Sequence, residues 1–277
     1  MSVLAVIFLF PLVFMFVSSL KPGSRILQGL DSPMAFLPVG DISLGNYFGV
    51  FDRVPVAQFM FNSVLVTALA LAICLVVAVP AAYVLARFDF RGKSVIAVLL
   101  LAGLFLNVNY IVIPIFLMLL GWDRALRDVL RGGFFIDNLA VLALVYAATS
   151  LPFTIYLLTS FFRTIPVEYE EAATLDGSSR LRTMVSVMLP LASPVINTAL
   201  LFNFLAYWND FIISLTLMPG ENKTVQVGLL NLFQAQRAAA DYGQLYAGMV
   251  IVMVPVIVFY LIVQRRLLQS VGGGGIK

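Results

Sequence analysis

Side chains that could do chemistry are scarce in this chain, and the longest group of them lies between residues 165 and 194. Pro166 is suited to the first turn of a helix. Glutamates follow it closely, where the positive end of a helix dipole favours carboxylates. Gly177 can adopt the left-handed conformation that ends a helix, and a second helix can start after it. The spacing therefore predicts a short acidic helix, a tight turn and a second helix over residues 165–185. This shape is typical of a docking surface rather than a catalytic site.

The residue types that most enzyme mechanisms need are missing. The chain has no histidine, which removes the usual proton shuttle, nucleophile–histidine catalysis and HExxH zinc chemistry. The lone cysteine, Cys74, lies in an apolar run and can form no intramolecular disulfide, so we interpret it as a small buried apolar residue. No Walker A sequence for ATP binding occurs. The net charge of +3 is too small and too scattered to indicate nucleic-acid binding.

A second polar group interrupts the apolar sequence at Tyr207, Trp208, Asn209 and Asp210. An ionisable residue inside a membrane span is a functional candidate, so this group could line a substrate path. The structural alternative, which we favour slightly, is a helix break near the outer membrane interface with the aspartate bonded to backbone amides. Weaker candidates for the path lie in other runs: Asn62, Asn107, Asn109, Tyr110 and Asn203. Each of these could equally form an interhelical hydrogen bond.

The elements that must position these groups are apolar helices. Hydrophobic residues make up 61% of the chain and charged residues only 11%, whereas soluble domains are about 25% charged. Six runs without a charged residue are long enough to cross a bilayer: 1–20, 54–86, 94–122, 138–162, 183–209 and 242–264. Backbone in lipid must satisfy its own hydrogen bonds, and runs without strict alternation do not suit a barrel. The predicted fold class is an all-α membrane protein with six transmembrane helices.

These helices are expected to form a single transmembrane domain over residues 1–277. Their approximate bounds are 2–20, 58–86, 94–120, 138–162, 186–213 and 244–264. Each contains a proline, which kinks a helix; the kinks could splay the helices around a cavity or reflect ordinary membrane-helix composition. The first run lacks the basic start and the cleavage site of a signal peptide, so we expect it to be retained. Because it starts abruptly at Met1, we expect a missing or very short cytoplasmic leader.

Basic residues set the expected orientation. Six spans place both termini on one side, together with the 87–93 turn and the 163–185 segment. This side carries nine Lys and Arg residues, and the opposite side carries eight over about twice the length. Three of the nine crowd into the 87–93 turn and two abut the end of the last helix. We therefore place this side, with both termini, in the cytoplasm.

Residues 171–177 read Glu-Ala-Ala-Thr-Leu-Asp-Gly and are followed by Pro190 and Pro194. Their composition, spacing and position before the penultimate helix closely resemble the EAA motif of bacterial ABC importer permeases. Other features resemble the carbohydrate-importer branch of that family, in the manner of the smaller maltose permease subunit. They are Asn62–Ser63, Ala86–Arg87, Trp208–Asn209–Asp210 and Gln264–Arg265–Arg266. The resemblance covers nearly the whole chain.

The resemblance implies a type I ABC importer permease fold with a cytoplasmic coupling helix held in a cleft of an ATPase subunit. The residues that would couple to the ATPase are Glu170, Glu171, Ala172, Ala173, Asp176 and Gly177. Among them, Glu171 would pair with a basic residue of the ATPase. The alanines would allow close approach, and the glycine would permit the turn.

The resemblance also implies partners and a location. Two cytoplasmic ATPase subunits would bind the ATP and Mg²⁺, so this chain would be a non-catalytic permease with no cofactor or metal of its own. A second permease subunit, expected to be a different chain, would complete the path across the bacterial inner membrane. An extracytoplasmic solute-binding protein would deliver the sugar. It would contact an outer loop that corresponds by position to Glu221, Asn222, Lys223 and Thr224.

Two other classes fit the sequence less well. A secondary transporter would normally show buried acidic residues or histidines and internal repeats, whereas Asp210 is the only acidic residue well inside a predicted span. An intramembrane enzyme would need histidine or paired aspartates within its spans. Within the importer class, glycerol-phosphate-type solutes are the alternative to mono-, di- or oligosaccharides.

Overall fold

The computed structural model describes residues 2–21, 42–126, 133–239 and 242–272, and every regular element in these ranges is helical. This confirms the expected all-α fold. The helices are α1 (Ser2–Ser19), α2 (Gly45–Arg53), α3 (Val56–Arg87), α4 (Lys93–Leu104), α5 (Val108–Ala125), α6 (Leu139–Phe162), α7 (Glu168–Leu175), α8 (Arg180–Thr183), α9 (Leu189–Leu191), α10 (Ser193–Trp208), α11 (Ile212–Leu217), α12 (Val225–Ala239) and α13 (Tyr242–Gly272). A π-helical turn, Met184–Met188, lies between α8 and α9.

Four described helices have the length and hydropathy of a membrane span. They are α3, α5, α6 and the Tyr242–Gln264 part of α13. Arg180–Leu191 and Ser193–Trp208 meet at a bend of 75° and add a fifth if the pair counts as one span. The first of the six predicted spans corresponds to α1, whose Ile7–Ser19 part is apolar but shorter than a full span. Helices α3, α5, α6 and α13 continue past their internal prolines.

The predicted helix over 94–120 is wrong as a single element, because the structure divides it into α4 and α5. The break falls at residues 105–107. Asn107 has an extended backbone, and its side chain accepts a hydrogen bond of 3.0 Å from the backbone N–H of Asn109. A short amide side chain that bonds nearby backbone favours the start of a helix over its interior. Asn107 therefore begins a new helix inside an apolar run.

The predicted helix over 186–213 is also divided. It comprises the end of the π-helical turn, α9, α10 and α11, with breaks at Ala192 and at residues 209–211. Proline cannot donate to the preceding turn, and here Pro194 occupies the first turn of α10, where no donor is required. The second break is stabilised by Asp210, whose Oδ2 accepts a hydrogen bond of 3.0 Å from the backbone N–H of Ser214.

The described contacts divide the chain into two compact units, of which the first comprises residues 1–64 and 220–258. In it, Asn46 Nδ2 donates hydrogen bonds of 2.8 Å to the carbonyl oxygens of both Ser19 and Lys21. These bonds join α2 to the end of α1. Gly228 of α12 packs so closely on the ring of Phe59 that a β-carbon would clash with it.

The second unit comprises residues 65–219 and 259–277 and contains two apolar cores. Leu142 and Leu217 are fully buried in the first, and Leu158 and Met188 in the second. A polar group is also buried in this unit: Asn203 Nδ2 of α10 donates to Thr154 Oγ1 of α6 at 2.8 Å, and Cys74 Sγ of α3 donates to the same oxygen at 3.5 Å. Asn203 thus forms an interhelical hydrogen bond, and Cys74 is buried.

Asp123, near the end of α5, fixes the chain segment that precedes α6. Its Oδ1 accepts hydrogen bonds from the backbone N–H groups of Phe134 at 2.7 Å and Phe135 at 2.8 Å. Its Oδ2 accepts a third from Ile136 at 3.1 Å. Hydrogen bonds to an ionised acceptor are the stronger kind, so one carboxylate replaces the helical partners that this segment lacks.

We expect Asp123→Ala to lower the thermal unfolding midpoint of the purified protein in detergent. Three partly exposed backbone donors lose their acceptor, which costs about 1–2 kcal/mol. The matched control is Asp89→Ala, because the Asp89 side chain is 99% exposed and pairs with Lys93 in the next turn of chain. That hydrogen bond holds the pKa of Asp89 below its usual value, but exposed pairs add little stability. Equal midpoints for the two variants, followed by circular dichroism, would contradict the assigned role of Asp123.

Candidate functional site

The acidic helix of the sequence analysis is α7, which begins two residues after Pro166 and ends in a glycine-based cap. The backbone N–H of Ser178 donates to the carbonyl of Ala173 at 2.9 Å, and that of Gly177 donates to Thr174 at 3.0 Å. Gly177 has a φ of +77°. These two bonds and the left-handed glycine form a Schellman motif. Since no other atom lies within 4 Å of a β-carbon built on Gly177, only its backbone conformation opposes substitution there.

The second helix of the pair starts directly after this turn. Ser179 has an extended backbone, and its Oγ accepts a hydrogen bond of 3.4 Å from the N–H of Arg182. The short α8 then continues into the π-helical turn. We call residues 168–183 the helix–turn–helix. The end of α7 and the start of α8 are both defined by local hydrogen bonds, so the turn between them is formed by the chain itself.

The outward face of the helix–turn–helix combines carboxylates with apolar side chains. Glu171 and Asp176 are exposed, as is Ala172. Leu175 is 89% exposed and Leu181 is 67% exposed. Large apolar side chains left in solvent beside polar ones are typical of a protein-docking surface. The two alanines of the motif differ, because Ala172 is exposed whereas Ala173 is buried.

Glu170 differs from the other predicted coupling residues because its carboxylate faces the protein. Its Oε1 lies 2.6 Å from Arg87 Nε, and its Oε2 accepts a hydrogen bond of 2.9 Å from the hydroxyl of Tyr83. The contact with Arg87 is an ion pair whose N–H is not aligned as a hydrogen bond. Only Glu171 of this adjacent pair is therefore turned outward.

A cavity of about 390 Å³ contains part of the second predicted site. Its polar lining consists of Asn109, Tyr146, Thr149, Ser150, Asn203, Tyr207 and Asp210, and its aromatic lining includes Phe153 and Phe202. Tyr146 donates a hydrogen bond of 2.7 Å to Asp210 Oδ2. The ring of Tyr146 stacks on that of Tyr207, whose hydroxyl bonds Ser150. Asp210 therefore bonds a backbone amide at a helix break, as the structural interpretation expected, and also faces the cavity.

Of the weaker candidates for the substrate path, Asn109 and Asn203 line the same cavity, but several other predicted residues lie elsewhere. Asn107 caps α5, and Tyr110 is 82% exposed. Trp208 is 2% exposed and stacks on Phe204. Asn209 is exposed and donates to a carbonyl of its own helix. None of these side chains lines the cavity. Of the predicted group at residues 207–210, only Tyr207 and Asp210 do so.

The sequence analysis missed the contribution of α6 to this cavity. Tyr146, Thr149, Ser150 and Phe153 recur at the i, i+3, i+4, i+7 spacing that places side chains on one face of a helix. This pattern is readable in the sequence. The polar face is easy to overlook, because Thr and Ser are uncharged and the run over residues 138–162 stands out only by its lack of charged residues.

The predicted outer loop at residues 221–224 is anchored to the start of α3. Asn62 Nδ2 donates a hydrogen bond of 3.0 Å to the carbonyl of Lys223. Ser63 Oγ accepts one of 2.8 Å from the N–H of Val225. Asn62 is therefore a buried anchor for this loop. Of the remaining features noted in the sequence, the side chains of Arg265 and Arg266 lie outside the described residues.

Comparisons with known proteins agree with this architecture. The sequence model of the family "Binding-protein-dependent transport system inner membrane component" matches residues 78–273. The diacetylchitobiose uptake system permease protein of Streptomyces coelicolor is 34% identical over 271 residues, covering 98% of this chain and 84% of that protein. The trehalose transport system permease protein of Mycobacterium tuberculosis is 32% identical over 271 residues, covering 97% and 92%. These relatives confirm the resemblance to the carbohydrate-importer branch.

A solved structure shares the fold. It is the crystal structure of a bacterial ABC transporter involved in the import of the acidic polysaccharide alginate, and it matches with a TM-score of 0.73 at 23% identity. The match covers 95% of this chain and 92% of that one. The fold is therefore the expected type I importer permease fold. The chain belongs to the family of binding-protein-dependent transport system inner membrane components, the membrane-spanning permease subunits of ABC importers.

Proposed function

We propose that this chain forms half of the translocation path for a sugar and receives the energy for transport through the helix–turn–helix. The observation that carries the proposal is the exposed acidic and apolar face of α7, closed by the Schellman cap at Gly177. A helix that is locally rigid can pass a displacement to the membrane helices on either side of it. Because this chain has no Walker A sequence, cytoplasmic ATPase subunits bind the ATP and Mg²⁺ and hydrolyse the nucleotide.

The contact with the ATPase is assigned to the outward residues of α7. Glu171 is exposed and carries the charge that a basic residue of the ATPase would meet. Leu175 and Leu181 provide apolar area beside it. The basic residues in the 87–93 turn, together with Arg265 and Arg266 directly after the apolar part of α13, support a cytoplasmic position for this surface and for both termini.

Substitutions at Gly177 should uncouple transport in the order of their backbone strain. We expect Gly177→Asn to be mild, Gly177→Ala intermediate and Gly177→Pro severe. Asparagine tolerates a positive φ better than alanine does, and proline cannot adopt it. All three should insert into the membrane, while ATP-driven uptake by the complete transporter falls in that order. Glu171→Lys should also uncouple. Full ATP-driven uptake in both Gly177→Pro and Glu171→Lys would refute the assignment.

A sugar is the substrate that the cavity favours. Sugars are bound by uncharged hydrogen-bonding groups and aromatic faces, and the cavity offers both around Tyr146, Thr149, Phe153 and Phe202. Its volume of about 390 Å³ lies within the usual range of ligand pockets, roughly 300–1,000 Å³. Among the described residues that line it, none is Lys or Arg, and Asp210 would repel a phosphoester. Relatives named for diacetylchitobiose and trehalose uptake support the same substrate class.

Filling the cavity should block uptake without disturbing assembly. We expect Thr149→Trp to reduce uptake by about tenfold or more, because the added ring would occupy cavity space that a sugar needs; a tenfold loss corresponds to about 1.4 kcal/mol. Thr149 suits this test because its hydroxyl bonds carbonyls of its own helix and joins no other helix in the described contacts. The control is Leu144→Trp, which adds the same ring at a 55% exposed position of α6.

Uptake would be measured in proteoliposomes with the partner subunits and the binding protein, using trehalose, maltose and diacetylchitobiose as the sugar panel and glycerol 3-phosphate as the competing class. Uptake of a panel sugar that Thr149→Trp leaves unchanged would remove the cavity from the path. Uptake of glycerol 3-phosphate but of no sugar would overturn the substrate class.

The remaining partners follow from the family. A second permease subunit, which we propose is a different chain, completes the enclosure in the inner membrane. The extracytoplasmic binding protein is proposed to contact the loop at Glu221, Asn222, Lys223 and Thr224. The anchors from Asn62 and Ser63 support this role, because they hold the base of the loop while Glu221 stays exposed. Thr224 is buried, so it would support the loop from below rather than meet the binding protein directly.

A further inference from the structure

The carboxylate of Glu170 is held on both of its oxygens by the end of α3. Arg87 Nε lies 2.6 Å from one oxygen, and the hydroxyl of Tyr83 donates to the other at 2.9 Å. The Arg87 and Glu170 side chains are only 11% and 17% exposed. Both therefore have little access to water, and each needs the other as its counter-charge.

The same end of α3 also holds both arms of the helix–turn–helix. Arg87 Nη2 donates a hydrogen bond of 2.6 Å to the carbonyl of Ile165, in the segment that leads into α7. On the second arm, the guanidinium of Arg180 lies 5.1 Å from the ring centre of Phe88. Phe88 packs edge-on against Tyr83, with ring centres 5.7 Å apart. We call residues 83–88 the α3 anchor.

The contact between Arg87 and Glu170 is costly to break, which suits a rigid connection between α7 and α3. Removal of one partner from a largely buried ion pair leaves an uncompensated charge, which is far more costly than the loss of an exposed pair. Arg87 is also the last residue of α3, where the helix dipole favours a cation. The neighbouring Glu171 is exposed, so the two adjacent glutamates have different environments and different tasks.

The α3 anchor continues into a long membrane helix. From Arg87, α3 runs back past Pro80 to Cys74, which bonds Thr154 of α6. Covalent connection alone would pass movement of the helix–turn–helix only to α6 and α10, the membrane helices before and after it in the chain. The contacts of Glu170 and Arg180 add a third membrane helix, α3, that is distant in sequence.

We propose that the helix–turn–helix and the α3 anchor move as one rigid piece, with Arg87 and Glu170 as positioning residues that transmit displacement of the ATPase-facing surface directly to α3. The inference rests on the proposed coupling function. It gives Glu170 a role different from the ATPase contact that the sequence suggested. In this arrangement Glu171 contacts the ATPase, and Glu170 connects α7 to Arg87 of α3.

A charge-swap experiment on the complete transporter tests the link. Arg87→Glu and Glu170→Arg should each lower uptake of the panel sugars by about tenfold, with more ATP hydrolysed per sugar and with the ATPase still co-purifying. The double variant Arg87→Glu/Glu170→Arg should recover about half of the uptake, because the pair re-forms while the bond to Ile165 is lost. Arg91→Glu is the matched control, since it makes the same charge change at an exposed site in the adjacent turn and should leave uptake unchanged.

Hydrogen exchange gives a second readout that needs no substrate. In the assembled complex, backbone amides of α7 should exchange faster in each single variant and slow again in the double variant. Unchanged uptake and exchange in the single variants would overturn the link. So would a double variant that recovers neither property. Loss of ATPase co-purification in Glu170→Arg without faster exchange would make Glu170 an ATPase contact and would also overturn it.

The proposed coupling function and the proposed route through α3 can be refuted separately. If Gly177→Pro and Glu171→Lys remain fully coupled, the helix–turn–helix does not receive the energy and the proposed function fails. The exchange measurement still reports in that case whether Arg87 and Glu170 hold α7 to α3. If those variants uncouple but the charge swap restores nothing, coupling stands and the route through α3 is wrong.

Discussion

Lipid offers the backbone no hydrogen-bonding partner, so every interruption of a helix in this chain must be repaired from within the protein. The described breaks follow this rule. Asn107 caps α5, Asn138 caps α6, Asp210 bonds the first turn of α11, and Asp123 satisfies three amides before α6. Several polar residues of this apolar sequence are used in this way.

The same constraint explains why a repair site can coincide with a candidate functional site. A side chain that stabilises a helix break is polar, stays inside the protein and is not covered by a continuous helix. Asp210 is an example, since it bonds Ser214 at a break and also faces the 390 Å³ cavity. A residue that the fold had to make polar is therefore also available to a substrate in the cavity.

The sequence could predict the features that depend on local rules, but not those that depend on distant contacts. Uncharged apolar runs, the acidic helix and the turn at Gly177 follow from local rules, and they identified the all-α fold and the motif. The breaks at residues 105–107 and 192 escaped prediction, because Asn107 and Pro194 are both tolerated inside membrane helices, and only the backbone shows that each stands at the start of a new one. The inward turn of Glu170 escaped for a different reason. Its partners, Tyr83 and Arg87, are more than eighty residues away in the sequence, and nothing local distinguishes Glu170 from Glu171.

The account depends on the outward face of the helix–turn–helix meeting the ATPase. Leu175 is suited to a direct measurement, because its side chain is 89% exposed and the chain's only native cysteine, Cys74, is buried. A photoreactive thiol label on Leu175→Cys should cross-link to the ATPase subunit in the assembled transporter. The same label on Tyr110→Cys, at an 82% exposed position of α5, should not. A Leu175 label that joins only lipid or the second permease, with the ATPase present and active, would contradict the account.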